Sequence, residues 1–445
     1  MRHSYLAVLA AWACAACAAA EAEPRALELT LRRAVEIATS AEGNTRIQLA
    51  GEAVGQARSR AAQARAALLP NFDATVAQQS QTRNLAAFGL RIETPFPGVA
   101  IPRFVGPFNV FDARTTATQN LLDLSAIRRF QASRAALRGL EREQGAVAEQ
   151  VAAQAAKAYL AAVRAQAEID AVQANLALAE AVLRQARRLK DAGTGTGIEI
   201  TRAGVQLANE RQRLLVAENQ LRRAYLQLLR VLNASLATRL SLSERLAYHP
   251  VDAELLAKAE ELALAARPEL QAQREREESA RLAAAAVRWE RIPSVAAFGD
   301  YGTIGTGADA ALPTRTVGVA MKIPLFDGGR RDARRAEAAS QFRQEQIRTH
   351  DLQEQIRLEV ILAADALRSA DEQVKVAAEG LKLAEAELAQ SRRRYEAGVA
   401  NSLEVTDAQT RLARARDNHI SALFHHEAAR IDFGQATGLL DRLLD

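Results

Sequence analysis

Tyr395-Glu396-Ala397-Gly398-Val399-Ala400-Asn401-Ser402-Leu403-Glu404-Val405-Thr406-Asp407-Ala408 interrupts a long helical pattern with a glycine turn and then restarts it. The same device stands earlier in the chain as Lys190-Asp191-Ala192-Gly193-Thr194-Gly195-Thr196-Gly197-Ile198-Glu199-Ile200-Thr201-Arg202-Ala203. One offset, 205 residues, relates Gly193 to Gly398, Ile198 to Leu403, Glu199 to Glu404, Ile200 to Val405 and Thr201 to Thr406. A duplication is the simplest account. Glycine just past an apolar periodic run stops a helix, because it enters the left-handed region at no steric cost. Asn401-Ser402 and Thr196-Gly197 then offer a short oxygen or a flexible backbone to cap the next helix. Glu404 and Glu199 fall in its first turn, where the helix dipole favours an acid. Each copy is predicted to be the tip of a hairpin between two long helices.

The flanking helices carry a 3.5-residue repeat. Ile356, Val360, Ala363, Leu367, Ala370, Val374, Ala377, Leu381, Ala384, Leu388, Ser391 and Tyr395 step by four and three in strict alternation. Ala162, Ala165, Ile169, Val172, Leu176, Ala179, Leu183 and Ala186 match them in the first half. Such a seam holds one apolar stripe against a partner helix and implies left-handed supercoiling. Its alanines let helices approach closely. Leu207, Leu214, Leu221 and Leu228 recur at sevenfold spacing on a returning helix. Helices of about 55 residues would each be on the order of 80 Å long, far more than one globular domain requires.

Upstream of each long hairpin the period changes. Residues 27–69 read as helix until Pro70, and Pro268 to Ile292 until Pro293; proline pushes the residue before it toward extended geometry and starts something new. Phe72, Ala74 and Val76 then alternate with Asn71, Asp73 and Thr75. A loop rich in proline and glycine runs from Thr94 to Pro107, and an extended segment from Phe108 to Leu122. In the second half Val295, Ala297, Gly299 and Tyr301 alternate, a Gly302 to Gly307 loop follows, and Val317, Val319, Met321, Ile323 and Leu325 alternate strictly. Period two marks strands, of a length that suits a tilted membrane crossing; an ordinary half-buried hairpin would alternate in the same way. Asp123 and Asp327 stand at the corners that lead from strand to long helix. Between the halves, Ser241-Leu242-Ser243 and Tyr248-His249-Pro250 break the periodicity, and Asp252 to Ala266 resumes it as a short helix packed beside the long ones.

Composition agrees. Of 445 residues 49% are hydrophobic but only 4% aromatic, and the apolar share rests on alanine and leucine, as in long helices and coiled coils. The 58 basic and 53 acidic residues are interspersed rather than clustered, which describes a solvated helical surface and argues against a nucleic-acid partner. Residues 1–20 read as an export signal: Arg2, an apolar run from Tyr5 to Ala16, and Ala18-Ala19-Ala20. Both cysteines, Cys14 and Cys17, fall inside it. Either cleavage after Ala20 removes them, or Cys17 becomes a lipidated N-terminus. No later apolar run is long enough for a membrane helix, so entry into a membrane requires strands that close into a barrel.

These features together resemble the TolC family of outer membrane efflux proteins. The resemblance rests on Tyr395 to Gly398, Leu403 to Gln409, the corner Ile323-Pro324-Leu325-Phe326-Asp327-Gly328-Gly329, the breaks Leu69-Pro70 and Ile292-Pro293, and the duplicated order. It implies a mainly α fold with a β-barrel part. Duplicated coiled-coil hairpins would form an α-barrel in the periplasm, and four strands per protomer would join a shared trimeric barrel in the outer membrane lipid. It further implies a homotrimer that meets a periplasmic adaptor protein and an inner-membrane pump, without cofactor or enzymatic activity. Residues 1–20 would be the signal peptide, 21–232 the first repeat, 233–266 an equatorial linker and 267–445 the second repeat. The family's periplasmic constriction maps onto Glu404, Asp407 and Glu199, with Tyr395 able to bond across to Glu199 in a closed state. Adaptor contact maps onto Gly193, Gly398, Ile198 and Leu403. Ala400 replaces an arginine that can brace the closed tip. The competing reading is a periplasmic coiled-coil adaptor or scaffold without a pore. Cargo, drug, metal or protein, is not encoded in any of these residues.

Other signals carry less. Gly193-Thr194-Gly195-Thr196-Gly197 lacks the preceding strand and the lysine-serine ending of a phosphate loop. His425-His426 and the other histidines show no i, i+4 partner with a carboxylate base and read as surface.

Overall fold

The computed structural model describes residues 27–88, 104–250, 252–397 and 399–443. The export segment with Cys17, residues 94–103 of the predicted loop, and Gly398 lie outside the described residues. The first half contains β1 (Leu27–Leu29), α1 (Leu31–Thr39), α2 (Thr45–Ala66), β2 (Asn71–Asn84), β3 (Phe104–Leu122), α3 (Leu124–Asp191) and α4 (Gly197–Val231). After β4 (Leu240–Leu242), α5 (Ala253–Ala257) and α6 (Ala259–Ala266), the second half contains α7 (Pro268–Trp289), β5 (Ser294–Gly305), β6 (Leu312–Lys322), α8 (Arg330–Glu396), α9 (Ser402–Thr437) and α10 (Leu440–Leu443). Two compact units divide the chain, and each draws on both halves. One comprises Glu52–Arg142 and Gln271–Asp351; the other takes the described residues before Glu52, Glu143–Leu270, and those from Leu352 onward.

The first of these units holds a four-stranded antiparallel sheet in the order β2-β3-β5-β6. Its register sets Phe72, Ala117, Gly299 and Val317 side by side on one face, and Asp73, Thr116, Asp300 and Thr316 on the other. The first face is apolar and bare: Phe72, Val76, Val317 and Val319 are all more than 65% exposed. On the second, Arg114 pairs with Asp112 and Asp300. β2 and β6 are the edges, each with one side unpaired among the described residues. The predicted loop ends earlier than expected, because β3 pairs from Phe104 and absorbs Gly106 and Pro107 into a register shift opposite Gln81 to Arg83. A bulge tolerates a proline that has no ladder N–H to give. β6 stops at Lys322, so Ile323 and Leu325 lie beyond the strand; Pro324 cannot continue the ladder. Below the sheet, α3 and α7 pack through Ala132, Ala135 and Leu282, and Arg138 bonds Glu275.

In the other unit the helix predicted from residue 27 is broken twice. Leu27–Leu29 is a strand, paired in parallel with Leu240–Leu242, and the fully buried Tyr159 donates its hydroxyl to the Leu29 carbonyl at 3.1 Å. Thr30 caps α1 by accepting from Arg33 N. The chain then turns at Gly43, where a Cβ would lie 1.9 Å from the Ile37 carbonyl. Ser241-Leu242 therefore belongs to a strand, because its partner, Leu27 to Leu29, lies far away in sequence. The linker helix divides at Lys258, and Ala259 and Ala263 pack on Ile356, Val360 and Phe433.

The seams form as read. Every α8 seam position is buried or half-buried, from Ile356 to Tyr395. Leu207 and Leu228 are buried on α4, with Leu214 and Leu221 half-buried. The helices are unequal rather than about 55 residues each: α3 and α8 have 68 and 67 residues, α4 and α9 have 35 and 36. The outgoing helix starts at a corner where Asp123 caps it by accepting from Ala126 N at 2.9 Å. The returning helix stops early at a left-handed residue, Asn233 at φ 53 in the first half and Gly438 at φ 70 in the second. Those two stops are also 205 residues apart.

Off the α8 seam, Leu358, Ile361, Leu362, Val376 and Leu383 are 52–69% exposed. These apolar side chains are left uncovered by the described residues of one chain. His426, read as surface, is instead fully buried, 5.1 Å from the Tyr248 ring and within ion-pair distance of Asp371 and Glu427. The linker's Tyr248 and His249 also bond those two carboxylates, so α8, α9 and the linker meet there.

Candidate functional site

The two hairpin tips are built by the same backbone bonds. At the first, Gly193 adopts φ 76, its amide bonds Lys190 O at 2.9 Å, and the Thr194 amide reaches back to Leu189 O at 3.0 Å. This is the Schellman arrangement, which satisfies the last carbonyls of α3 and requires a left-handed residue. At the second, the Val399 amide bonds Arg394 O at 3.1 Å, the counterpart of the Thr194 bond. Gly398, between these residues, lies outside the described residues. Thr196 and Asn401 are the caps. Asn401 accepts from Glu404 N at 3.2 Å, while Glu199 Oε2 accepts from Thr196 N at 3.3 Å.

Four helix ends meet behind the tips. Ala179, Val182 and Leu183 of α3, Ala203 and Leu207 of α4, Ala384, Leu388 and Tyr395 of α8, and Val405, Ala408 and Leu412 of α9 form one cluster. On the solvent side Ile198, Val399 and Leu403 are 57%, 68% and 49% exposed. Leaving three large apolar side chains in water at a turn is unfavourable unless another surface covers them.

The expected constriction residues separate into distinct environments. Asp407 is exposed and makes no ion pair among the described residues. Glu404 is half-buried and accepts from Arg394 Nε at 3.0 Å, an ion pair that ties α8 to α9 across the tip. Glu199 is half-buried, its carboxylate turned to its own helix start. Tyr395 is 6% exposed inside the seam, and its hydroxyl has no partner among the described residues. The bond from Tyr395 to Glu199 is therefore not formed, because Glu199 is held at its cap and the phenol is held by apolar packing. Burial, and secondly the charge of Glu199, raises the tyrosine pKa above its ordinary value.

Sequence reading missed Arg394. It belongs to Arg392-Arg393-Arg394 in the last turn of α8, where cations are favoured by the helix dipole whatever else they do. Its distance of ten residues from Glu404 is meaningful only once the hairpin has folded. Arg394 supplies a brace at a tip where Ala400 cannot. Among the described residues no group of three or more His, Cys, Asp or Glu is arranged to hold a metal ion. No described helix is long and apolar enough to cross a membrane.

Several solved structures share this fold. The outer membrane protein VceC of Vibrio cholerae is 17% identical, with a TM-score of 0.76 over 92% of this chain and 96% of that one. The outer membrane channel CmeC of Campylobacter jejuni is 16% identical, with a TM-score of 0.76 over 92% and 86%. The open state of the MtrE outer membrane channel of Neisseria gonorrhoeae is 18% identical, with the same TM-score over 92% and 89%. No curated protein sequence matches the chain. A family model described as outer membrane efflux protein matches residues 37–234 and 260–439, one segment in each half. The chain belongs to the outer membrane efflux protein family.

Proposed function

We propose that three copies of this chain assemble into a passive conduit, through which substrate handed over by a periplasmic adaptor and an inner-membrane pump crosses the outer membrane. Family membership makes the chain an outer membrane efflux channel and not an enzyme. The number of copies and the partners are the further step. The observation that carries it is the sheet: four strands, apolar on one face and charged on the other, with both edges open. Four strands cannot close by themselves, since the smallest membrane barrels have about eight. Joining β6 of one copy to β2 of the next removes every edge, and three copies give twelve strands. The bare stripe from Leu358 to Leu383 offers the helices an equivalent neighbour. Ile198, Val399 and Leu403 supply an apolar surface that suits an adaptor's helical tip.

At the tips, threefold symmetry would set three Asp407 carboxylates around one axis. Glu404 is largely neutralised by Arg394, so Asp407 carries the field that attracts cations and repels anions. Energy would come from the pump, since channels of this family are non-enzymatic transport proteins.

The test is single-channel conductance of detergent-extracted protein in a planar bilayer under a salt gradient. A steady current with a cation-directed reversal potential is expected. Protein that inserts but conducts without charge preference removes the acidic ring from the pathway. Protein that is soluble without detergent and never conducts restores the scaffold reading.

A further inference from the structure

Between β4 and α5 the linker has no regular structure over residues 243–250, and it crosses both α8 and α9. It is pinned at four places. The Glu244 carboxylate accepts from the Leu31 amide at 3.1 Å. Leu246 packs against the cluster of Val374, Ala422 and Leu423. The Tyr248 hydroxyl donates to Asp371 Oδ1 of α8 at 2.6 Å, and His249 Nδ1 donates to Glu427 Oε1 of α9 at 2.9 Å. Tyr248 and His249 are themselves exposed, so the segment is a strap laid over the two helices rather than part of their core.

Against the strap lies His426, fully buried, with no hydrogen-bond partner for either ring nitrogen among the described residues. Its Nδ1 is nevertheless 3.4 Å from Glu427 Oε1, and its Nε2 is 3.9 Å from Asp371 Oδ1. Those are the two carboxylates that anchor the strap. A neutral imidazole has one N–H and can answer one carboxylate; an imidazolium has two and can answer both. The remaining charges nearby are engaged. On α8, Lys375 pairs with Asp371 and Glu372; on α9, Arg430 pairs with Glu427; His425 lies against the Phe424 ring instead. Lys375, and then Tyr248, hold the Asp371 carboxyl below its ordinary range. Burial would raise the Glu427 carboxyl, but His426, His249 and Arg430 outweigh it and hold it below its ordinary range too. Both anchors are therefore anionic across the range where an imidazole in water changes charge, near pH 6.5.

We propose that residues 244–250 are a proton-operated strap: a proton on His426 draws Asp371 and Glu427 onto its two nitrogens and locks the strap across α8 and α9, and loss of that proton loosens it. The sign follows from linkage. The locked strap favours the imidazolium over the imidazole more than water does, so the locking contribution is fully present below about pH 6.5 and is lost as pH rises above it. It disappears again only in acid strong enough to neutralise the two carboxylates. His426 stands about 36 Å along α9 from its first residue, so the strap restrains α8 against α9 well behind the tip that carries Tyr395 and Glu404. The proposal is independent of the number of copies in the assembly.

Cys14 and Cys17 lie in the segment read as the export signal, where each is removed or, at Cys17, capped by lipid. A nitroxide on Ala247→Cys therefore reports on the strap alone in the exported, full-length protein. The ratio of mobile to immobilised label is read by spin resonance at about pH 5.5 and about pH 9, on either side of the imidazole range. A charge-assisted hydrogen bond shifts such an equilibrium about tenfold or more, so the mobile fraction should rise at least tenfold at the higher pH. His426→Gln should abolish the step, and His249→Gln should keep it. A strap equally mobile at both pH values overturns the proposal. So does a step that survives in His426→Gln, or one lost in His249→Gln, which would assign the proton to the linker histidine. Should His426→Gln fail to fold by circular dichroism, Asp371→Asn decides: removing one of the two carboxylates should shrink the step at least threefold, and an unchanged step overturns the proposal.

Discussion

Replacing Arg394 by alanine separates the stability of the tip from its charge. The pair with Glu404 is 3.0 Å long, but the side chains are 50% and 37% exposed, so solvent screening leaves it about 0.5 kcal/mol. Global stability should barely change. The charge effect is larger. The substitution frees one carboxylate per copy, hence three around the axis of the proposed trimer. If each carboxylate stood about 10 Å from the axis, in 0.1 M salt with a Debye length of about 10 Å, it would contribute about 0.15 kcal/mol at the axis. Three give about 0.45 kcal/mol, which enriches cations about twofold, depletes anions about twofold and raises the cation-to-anion permeability ratio about fourfold. Reversal potentials in a planar bilayer read this ratio directly. Arg394→Ala/Glu404→Ala should return it to the starting value, since the pair carries no net charge. An unchanged reversal potential in Arg394→Ala would show that Glu404 does not face the conduction path, and the constriction assigned here would fall.

Four other outcomes are expected. Asp407→Ala should lower cation preference by about as much as Arg394→Ala raises it, and unaltered selectivity in that variant would remove Asp407 from the ring. Gly193→Val places a β-branched residue at φ 76, which costs about 1–2 kcal/mol; amide exchange at Thr194 and Gly195 should accelerate about tenfold, and unchanged exchange would refute the left-handed turn. Tyr395→Phe deletes a hydroxyl that has no partner among the described residues, so the melting temperature should hold or rise by the equivalent of up to about 1 kcal/mol; a leaky channel would instead show that the hydroxyl bonds Glu199 when the tips close. Burial first, then the charge of Glu269 and least that of Asp441, raise the Glu149 carboxyl from 4.5 to about 7 against the opposing charge of Arg267. The folded chain then holds the extra proton between those values, so stability falls as pH rises from about 4.5 through 7. Glu149→Gln should flatten this fall, adding about 1–2 kcal/mol at pH 8 after discounting for screening and little at pH 4. Parallel stability curves for the two proteins would refute the shift.

Much of the local structure was legible because it depends on short-range chemistry. The capping oxygen of Asn401, the bond from the Thr196 amide to Glu199, the left-handed turn at Gly193 and the acids in the first turns each need only a few neighbouring residues. The α8 seam from Ile356 to Tyr395 was legible for a related reason: a 3.5-residue repeat has one consistent burial pattern. The misreadings cluster where distant partners decide. Leu27–Leu29 looked helical until Leu240–Leu242 offered it a ladder, and Pro107 looked like loop until the bulge opposite Gln81 to Arg83 gave it a place. His426 looked like surface until Tyr248, Asp371 and Glu427 closed around it. At the tips, Glu404 and Asp407 could be named from sequence, but their inequality could not, because Arg394 reaches Glu404 only across the folded hairpin.

The sequence by itself determined the duplicated order, the hairpin tips, the alternation of the strands and the absence of an apolar run fit for a membrane helix after residue 20. These are encoded in period and spacing, which the backbone reads locally. Tertiary structure alone decided which acid is ion-paired, which buried hydroxyls, at Ser125 and Tyr395, lack a partner among the described residues, and how four strands align into a sheet with one apolar face. Those outcomes depend on groups brought together across a folded hairpin or from opposite halves of the chain, and no local pattern specifies such distances.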